Sequence, residues 1–171
     1  MKPIKLKELL RTAKDPATQK IAIAENYVLS VKTVFEGVVK DVPEEMLSKY
    51  YISDWYPEEG TPVLVVLVWV NPHEEFNKYA ETSNSDSHRI TIHDLMANGC
   101  CTNPYIDFAI VNIKTGKVLV DRVSDKTYTV DDNKDYDLFL PYEWKTVRAW
   151  EARDGKMIFY ILPQKKKKVN P

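Results

Sequence analysis

Three short stretches of the chain carry side chains that could do chemistry. The first is Asp137 followed by Glu143-Trp144-Lys145. Two carboxylates and a lysine are the groups with which a metal-dependent nuclease holds Mg²⁺ and steadies the attacking water. Charged residues make up 29% of the chain, so Glu-x-Lys arises readily without function. The interval from Asp137 to Glu143 also leaves little room for the two strands such a site needs. The second stretch is Asp131-Asp132-Asn133-Lys134-Asp135-Tyr136-Asp137, with oxygens at alternate positions like the start of a calcium loop. Tyr136 stands where that loop needs its sharp-turn glycine, and Tyr142 where it needs a bidentate glutamate. It reads instead as a solvated acidic turn that keeps a sheet edge from pairing. The third set is His88, His93, Cys100 and Cys101, whose imidazoles and thiolates are the ligands zinc prefers. No Cys-x-x-Cys or His-x-x-x-His spacing is present. The same residues could give a cysteine nucleophile and a histidine base oriented by Asp94 or Asp107, a set that only tertiary structure can assemble. No metal or cofactor is expected on this reading, and no enzyme.

Binding chemistry is better represented. Trp144 and Trp150 stand in a polar setting beside Arg148 and Glu151, as an anchor at a partner interface would. Asp131, Asp132, Asp135 and Asp137 would steer such a partner, and Trp69 reads as core. Lys165, Lys166, Lys167 and Lys168 could reach phosphates directly, or merely solubilise the end of the chain. The formal net charge is -1, so no overall basic field advertises a nucleic-acid binder.

The elements that must position these groups are organised around Val63–Val70, eight apolar residues rich in valine. Such a run predicts a strand buried on both faces, with Leu64, Val66, Leu67 and Val68 deepest. Before it, Leu6, Leu9, Leu10 and Ala13 fall at helical spacing and predict about three helical turns ending ahead of Asp15-Pro16. Lys20–Ala24 and Tyr27–Val39 read as strands around Glu25-Asn26. Asp41 would cap a short helix through Leu47, and Tyr50–Tyr56 forms a further strand. Asn71-Pro72 opens another helix with Phe76 and Tyr79 on its apolar side, and residues 81–87 form a loop. Thr91 with Asp94 has the spacing of a capping box. From Tyr105 the period becomes two. Lys114-Thr115-Gly116 joins one hairpin and Arg153-Asp154-Gly155 another, with short extended pieces at Tyr128–Val130 and Asp137–Leu140 between them. No internal repeat is evident.

These signals predict a single-chain α+β fold: a mostly antiparallel sheet with two to four short helices and a C-terminal β-meander. Residues 1–70 form a helix-plus-strands module, 71–104 a helical and loop connector, 105–163 the meander packed with it as one compact unit, and 164–171 a basic tail. The 171 residues suffice for one well-buried unit, and two adjacent cysteines make no secreted disulfide framework. Met1-Lys2-Pro3 leads straight into the helical pattern without a signal segment, and no apolar run reaches bilayer length. A cytoplasmic protein is the expectation.

The order of Ile4–Leu10, a short strand, Phe35–Leu47, an extended pair and a valine strand resembles a small accessory-protein module of phages and mobile elements. Its most specific part is Glu36-Gly37-x-x-Lys40-Asp41-x-Pro43-Glu44-Glu45-x-Leu47. The likeness covers roughly the first 70 residues. It implies a host bacterial context and a non-enzymatic interaction or inhibitor protein, in concrete form an anti-CRISPR-type inhibitor whose partner is a CRISPR effector nuclease. The alternatives are the Mg²⁺-dependent nuclease on Asp137, Glu143 and Lys145, and a calcium- or sugar-binding β module.

Overall fold

A computed structural model describes residues 4–27, 30–69, 89–97, 107–122 and 140–162. The organising strand, β4 (Val63–Trp69), is flanked on both sides. It pairs in parallel with β1 (Lys20–Tyr27) and antiparallel with β3 (Tyr51–Pro57), while β2 (Ser30–Val38) closes the far side of β1. The sheet order is β2-β1-β4-β3. Burial along β4 alternates: Leu64, Val66 and Val68 are fully buried, whereas Val63, Val65, Leu67 and Trp69 are half-buried on the outer face. The expectation of equal burial on both faces therefore fails for Leu67 and Trp69, because the core lies on one side of this sheet only.

A second sheet repeats the pattern. The strands β5 (Asp107–Asn112), β6 (Val118–Arg122), β7 (Val147–Arg153) and β8 (Lys156–Ile161) lie in the order β6-β5-β8-β7, with β5 and β8 parallel. The expected meander and the single, mostly antiparallel sheet are thereby corrected to two mixed sheets. A meander requires sequential neighbours throughout, but β5 reaches past β6 and β7 to pair with β8.

The likeness of the halves extends to detail. A short helix precedes each sheet, α1 (Leu6–Leu10) in the first half and α3 (Ile92–Ala97) in the second. In the first half the Leu6 N–H donates to Tyr50 O and the Ile52 N–H to Ile4 O; in the second, Ile92 donates to Lys145 O and Val147 to Ile90 O. The Lys5 N–H donates to the Glu8 carboxylate and the Thr91 N–H to the Asp94 carboxylate, both at 2.8 Å. Register breaks fall at matching places, after Ile23 and Ile110 on the first strands and after Ile52 and Val147 on the third. The chain thus holds two copies of one unit, which the sequence did not betray. Equivalent core positions share apolarity rather than identity (Leu64 with Met157, Val66 with Phe159), and connections of different length spoil any fixed period.

The copies interlock through a shared core. Trp55 and Phe159 meet edge to face at 5.9 Å, and both are fully buried. Buried Gln19 bridges the halves: its Nε2 donates to Pro62 O and its Oε1 accepts the Ala152 N–H. Ala13, expected to continue a three-turn helix, instead bridges to Trp150, and α1 stops after five residues. The chain gains there by adding to the edge of β7: Trp150 N–H donates to Thr12 O and Lys14 N–H to Trp150 O. Asp41 closes a short 3₁₀ turn, Val39–Asp41, and Pro43 rather than Asp41 precedes α2 (Glu44–Lys49). Both predicted glycine turns form, with positive φ at Gly116, Asp154 and Gly155. The predicted helix after Asn71, the loop at 81–87 and the extended piece at 128–130 lie outside the described residues. No helix among the described residues is long and apolar enough to cross a membrane.

Candidate functional site

The chain entering β7 is stitched to the first turn of α3. Thr146 bridges Thr91, the Ile92 N–H donates to Lys145 O at 3.1 Å, and the His93 N–H donates to Glu143 O at 2.8 Å. A 3₁₀ turn, Leu140–Tyr142, leads in, and Lys145 N–H closes on Tyr142 O. Two fixed backbones therefore carry three side chains into contact. His93 Nδ1 lies 2.7 Å from Glu143 Oε1, and the imidazole stacks on the Trp144 indole with centroids 4.3 Å apart and planes 23° apart. The Glu143 side chain is 13% exposed and His93 38%, while Trp144 is 69% exposed.

A carboxylate on Nδ1 fixes the plane of the imidazole. The plane in turn supports the indole, so the largest apolar side chain on the described surface is held in one orientation before anything binds. His93 covers one face of the indole, and the side chain as a whole remains well exposed.

The residues singled out by their chemistry distribute unevenly. Glu143 turns its carboxylate to His93, and Lys145 contributes backbone bonds to the stitch. Asp131, Asp132, Asp135, Asp137, His88, Cys100, Cys101 and Lys165–Lys168 lie outside the described residues. Among the described residues, no group of three His, Cys, Asp or Glu side chains could hold a metal ion. Trp150 is corrected outright: it is fully buried, with its indole N–H on Leu9 O, and cannot anchor a partner. Of the polar neighbours that suggested exposure, Glu151 sits on the other side of the strand, and Arg148 is turned out at the register break between Val147 and Ala149.

A second titratable cluster was missed from sequence. Glu25, read as part of a turn, is an 8%-exposed residue of β1 whose carboxylate accepts the hydroxyls of Tyr27 and Tyr50 and lies 3.6 Å from Lys49 Nζ. The Tyr27 and Tyr50 hydroxyls, with Lys49 beside them, hold the Glu25 carboxyl below its ordinary range. The available signal was its place in the alternating series Ile21, Ile23, Glu25 on the core-facing side of one strand. A third cluster joins Lys14, Glu151 and Tyr160 on the outside of the second sheet.

Lys49 holds the position in the first half that Trp144 holds in the second, one residue before the carbonyl that accepts the helix's first N–H. Comparison with protein-family models, with curated proteins and with solved structures finds no match.

Proposed function

We propose that the chain is a non-enzymatic interaction protein that grips a protein partner through Trp144. In its concrete form, that partner is a CRISPR effector nuclease, and the chain is an anti-CRISPR-type inhibitor acting in the host bacterial cytoplasm. The observation that carries the gripping role is the 69%-exposed Trp144, pre-ordered on His93 by Glu143. Tryptophan in a site that becomes desolvated is the side chain best able to dominate an interface. The acidic run Asp131–Asp137 precedes this turn directly in sequence and suits a partner with a basic nucleic-acid channel. The choice of a nuclease rests on the resemblance of residues 1–70 to accessory modules of mobile elements.

The test adds the full chain to purified CRISPR effectors with guide and target DNA and follows cleavage. Stoichiometric inhibition that Trp144→Ala abolishes is expected. Cleavage unaffected across the effectors tested would remove the inhibitor reading. Mg²⁺-dependent cleavage by the chain alone, lost in Glu143→Gln, would replace it with the nuclease reading.

A further inference from the structure

We propose that the run Ser30–Thr33 at the free edge of β2 accepts an extended, acidic segment of a protein partner as an added strand. The proposal goes beyond the Trp144 reading and uses a different surface. Each sheet has two edges, and the chain covers one edge of each with its own backbone. Along β3, the Leu6 N–H donates to Tyr50 O and the Ile52 N–H to Ile4 O. Along β7, the Trp150 N–H donates to Thr12 O and the Lys14 N–H to Trp150 O. No such cover lies on β2: among the described residues its backbone pairs with β1 alone. Ser30, Val31, Lys32 and Thr33 are all exposed, so both faces of the strand meet solvent there, and no residue of β2 is buried. The equivalent edge strand β6 stands closer to the core and buries Val120. An edge strand presents a row of unpaired N–H and C=O groups. The group that satisfies such a row is the backbone of another extended segment.

The edge also selects its occupant. Register with β1 is continuous from Ser30, opposite Tyr27, to Thr33, opposite Ala24, and breaks immediately afterwards. That bulge ends the regular edge, so the added strand is short. Lys32 is the one charged residue in the run. Glu25, across from it on β1, accepts the hydroxyls of Tyr27 and Tyr50 and lies 3.6 Å from Lys49 Nζ. Among the described residues, Lys32 forms no ion pair. A carboxylate directly across from Lys32 on the incoming strand supplies that partner. A β-branched side chain at the neighbouring position then lies across from Val31, which is 58% exposed. A cationic strand is repelled at the same place. The lysine that discourages indiscriminate edge pairing therefore also sets the choice of partner.

The experiment records backbone amide shifts and hydrogen exchange of the ¹⁵N-labelled full chain during titration with acetyl-Thr-Val-Glu-Val-Thr-amide. The comparisons are the same peptide with lysine in place of glutamate, and the same peptide N-methylated at its three central residues. Saturable shifts and slowed exchange at Ser30–Thr33 are expected with the parent peptide. The lysine peptide should bind roughly twofold to fivefold more weakly, the scale of one exposed ion pair. The N-methylated peptide should give no saturable shift, because its donors are gone. Lys32→Glu should reverse the preference between the charged peptides, and Trp144→Ala should leave it unchanged. No saturable shift at Ser30–Thr33, equal binding of the N-methylated peptide, or a preference unmoved in Lys32→Glu would overturn the proposal. Protection of the same amides in the chain alone at rising concentration would give the edge to a second copy and overturn the choice of a partner's strand.

Discussion

Trp55 and Trp150 each donate the indole N–H to a helix carbonyl of the opposite copy: Trp55 Nε1 to Leu95 O at 2.9 Å, and Trp150 Nε1 to Leu9 O at 2.8 Å. Both side chains are fully buried, so each copy closes the end of the other's helix with the same atom from the same strand position. The exchange ties the two sheets together, since each helix carries a carbonyl bonded to the opposite copy, Leu9 O accepting the Thr12 N–H and hydroxyl of its own copy as well. Trp55→Phe and Trp150→Phe should each cost about 1–3 kcal/mol, from the lost hydrogen bond and the lost packing of a fully buried indole. Urea unfolding followed by far-UV circular dichroism and by fluorescence should show one coincident transition in both variants. Two separated transitions would mean that the copies are independent.

Burial at the centre of the first sheet sets a second expectation. Val66 is fully buried between Ile23 on one side and Trp55 on the other. Val66→Asp forces an unpaired carboxylate into that site at a cost of several kcal/mol, against a total stability on the order of 5–15 kcal/mol. The variant should be unfolded or severely destabilised in thermal melts. A melt like the parent's would place the core elsewhere.

The two glycine turns separate backbone strain from crowding. Gly116 and Gly155 have φ of 70° and 75°, but a Cβ at Gly116 meets open space, whereas one at Gly155 comes within 3.0 Å of Glu59 Cα. Gly116→Ala should cost about 1–2 kcal/mol for the left-handed backbone alone. Gly155→Ala should cost more, because the tip of the second hairpin packs on residues 58–61 of the first copy. Equal shifts in urea midpoint would show that this contact yields freely.

Glu25 predicts an acid dependence of stability. Its carboxyl is held below the ordinary value by the Tyr27 and Tyr50 hydroxyls and by Lys49, so folding favours the charged form. That contribution is complete above the unfolded value of about 4.3 and fades as pH falls from there through the lowered folded value. Glu25→Gln should flatten this part of the stability–pH curve. A parent and variant with the same pH slope below about pH 4.3 would assign the acid limb to other carboxylates.

Local signals were strongly legible in the sequence and long-range ones were not. The capping box at Thr91 and Asp94, the Asp154-Gly155 hairpin and the valine strand depend on neighbours within a few residues. The parallel pairing of β1 with β4 and β5 with β8 joins segments far apart and leaves no local mark. Helical spacing misassigned Ala13 because an apolar residue serves a helix face and a strand bridge equally well. The exposed tryptophan was half legible: two tryptophans in polar settings were flagged, and the fold puts Trp150 on the core side of β7 and Trp144 in the exposed turn before it. The His93–Glu143 support came from two segments that only the tertiary fold brings together.

The role of Trp144 as a partner anchor is tested most directly by the dissociation rate of the chain from an immobilised CRISPR effector, parent beside Trp144→Ala, across a salt series. Loss of a desolvated tryptophan worth at least about 2 kcal/mol should raise Kd by roughly 30-fold or more, mostly through faster dissociation and at every salt concentration. Equal dissociation rates for parent and Trp144→Ala would contradict the account and place the interface on another surface.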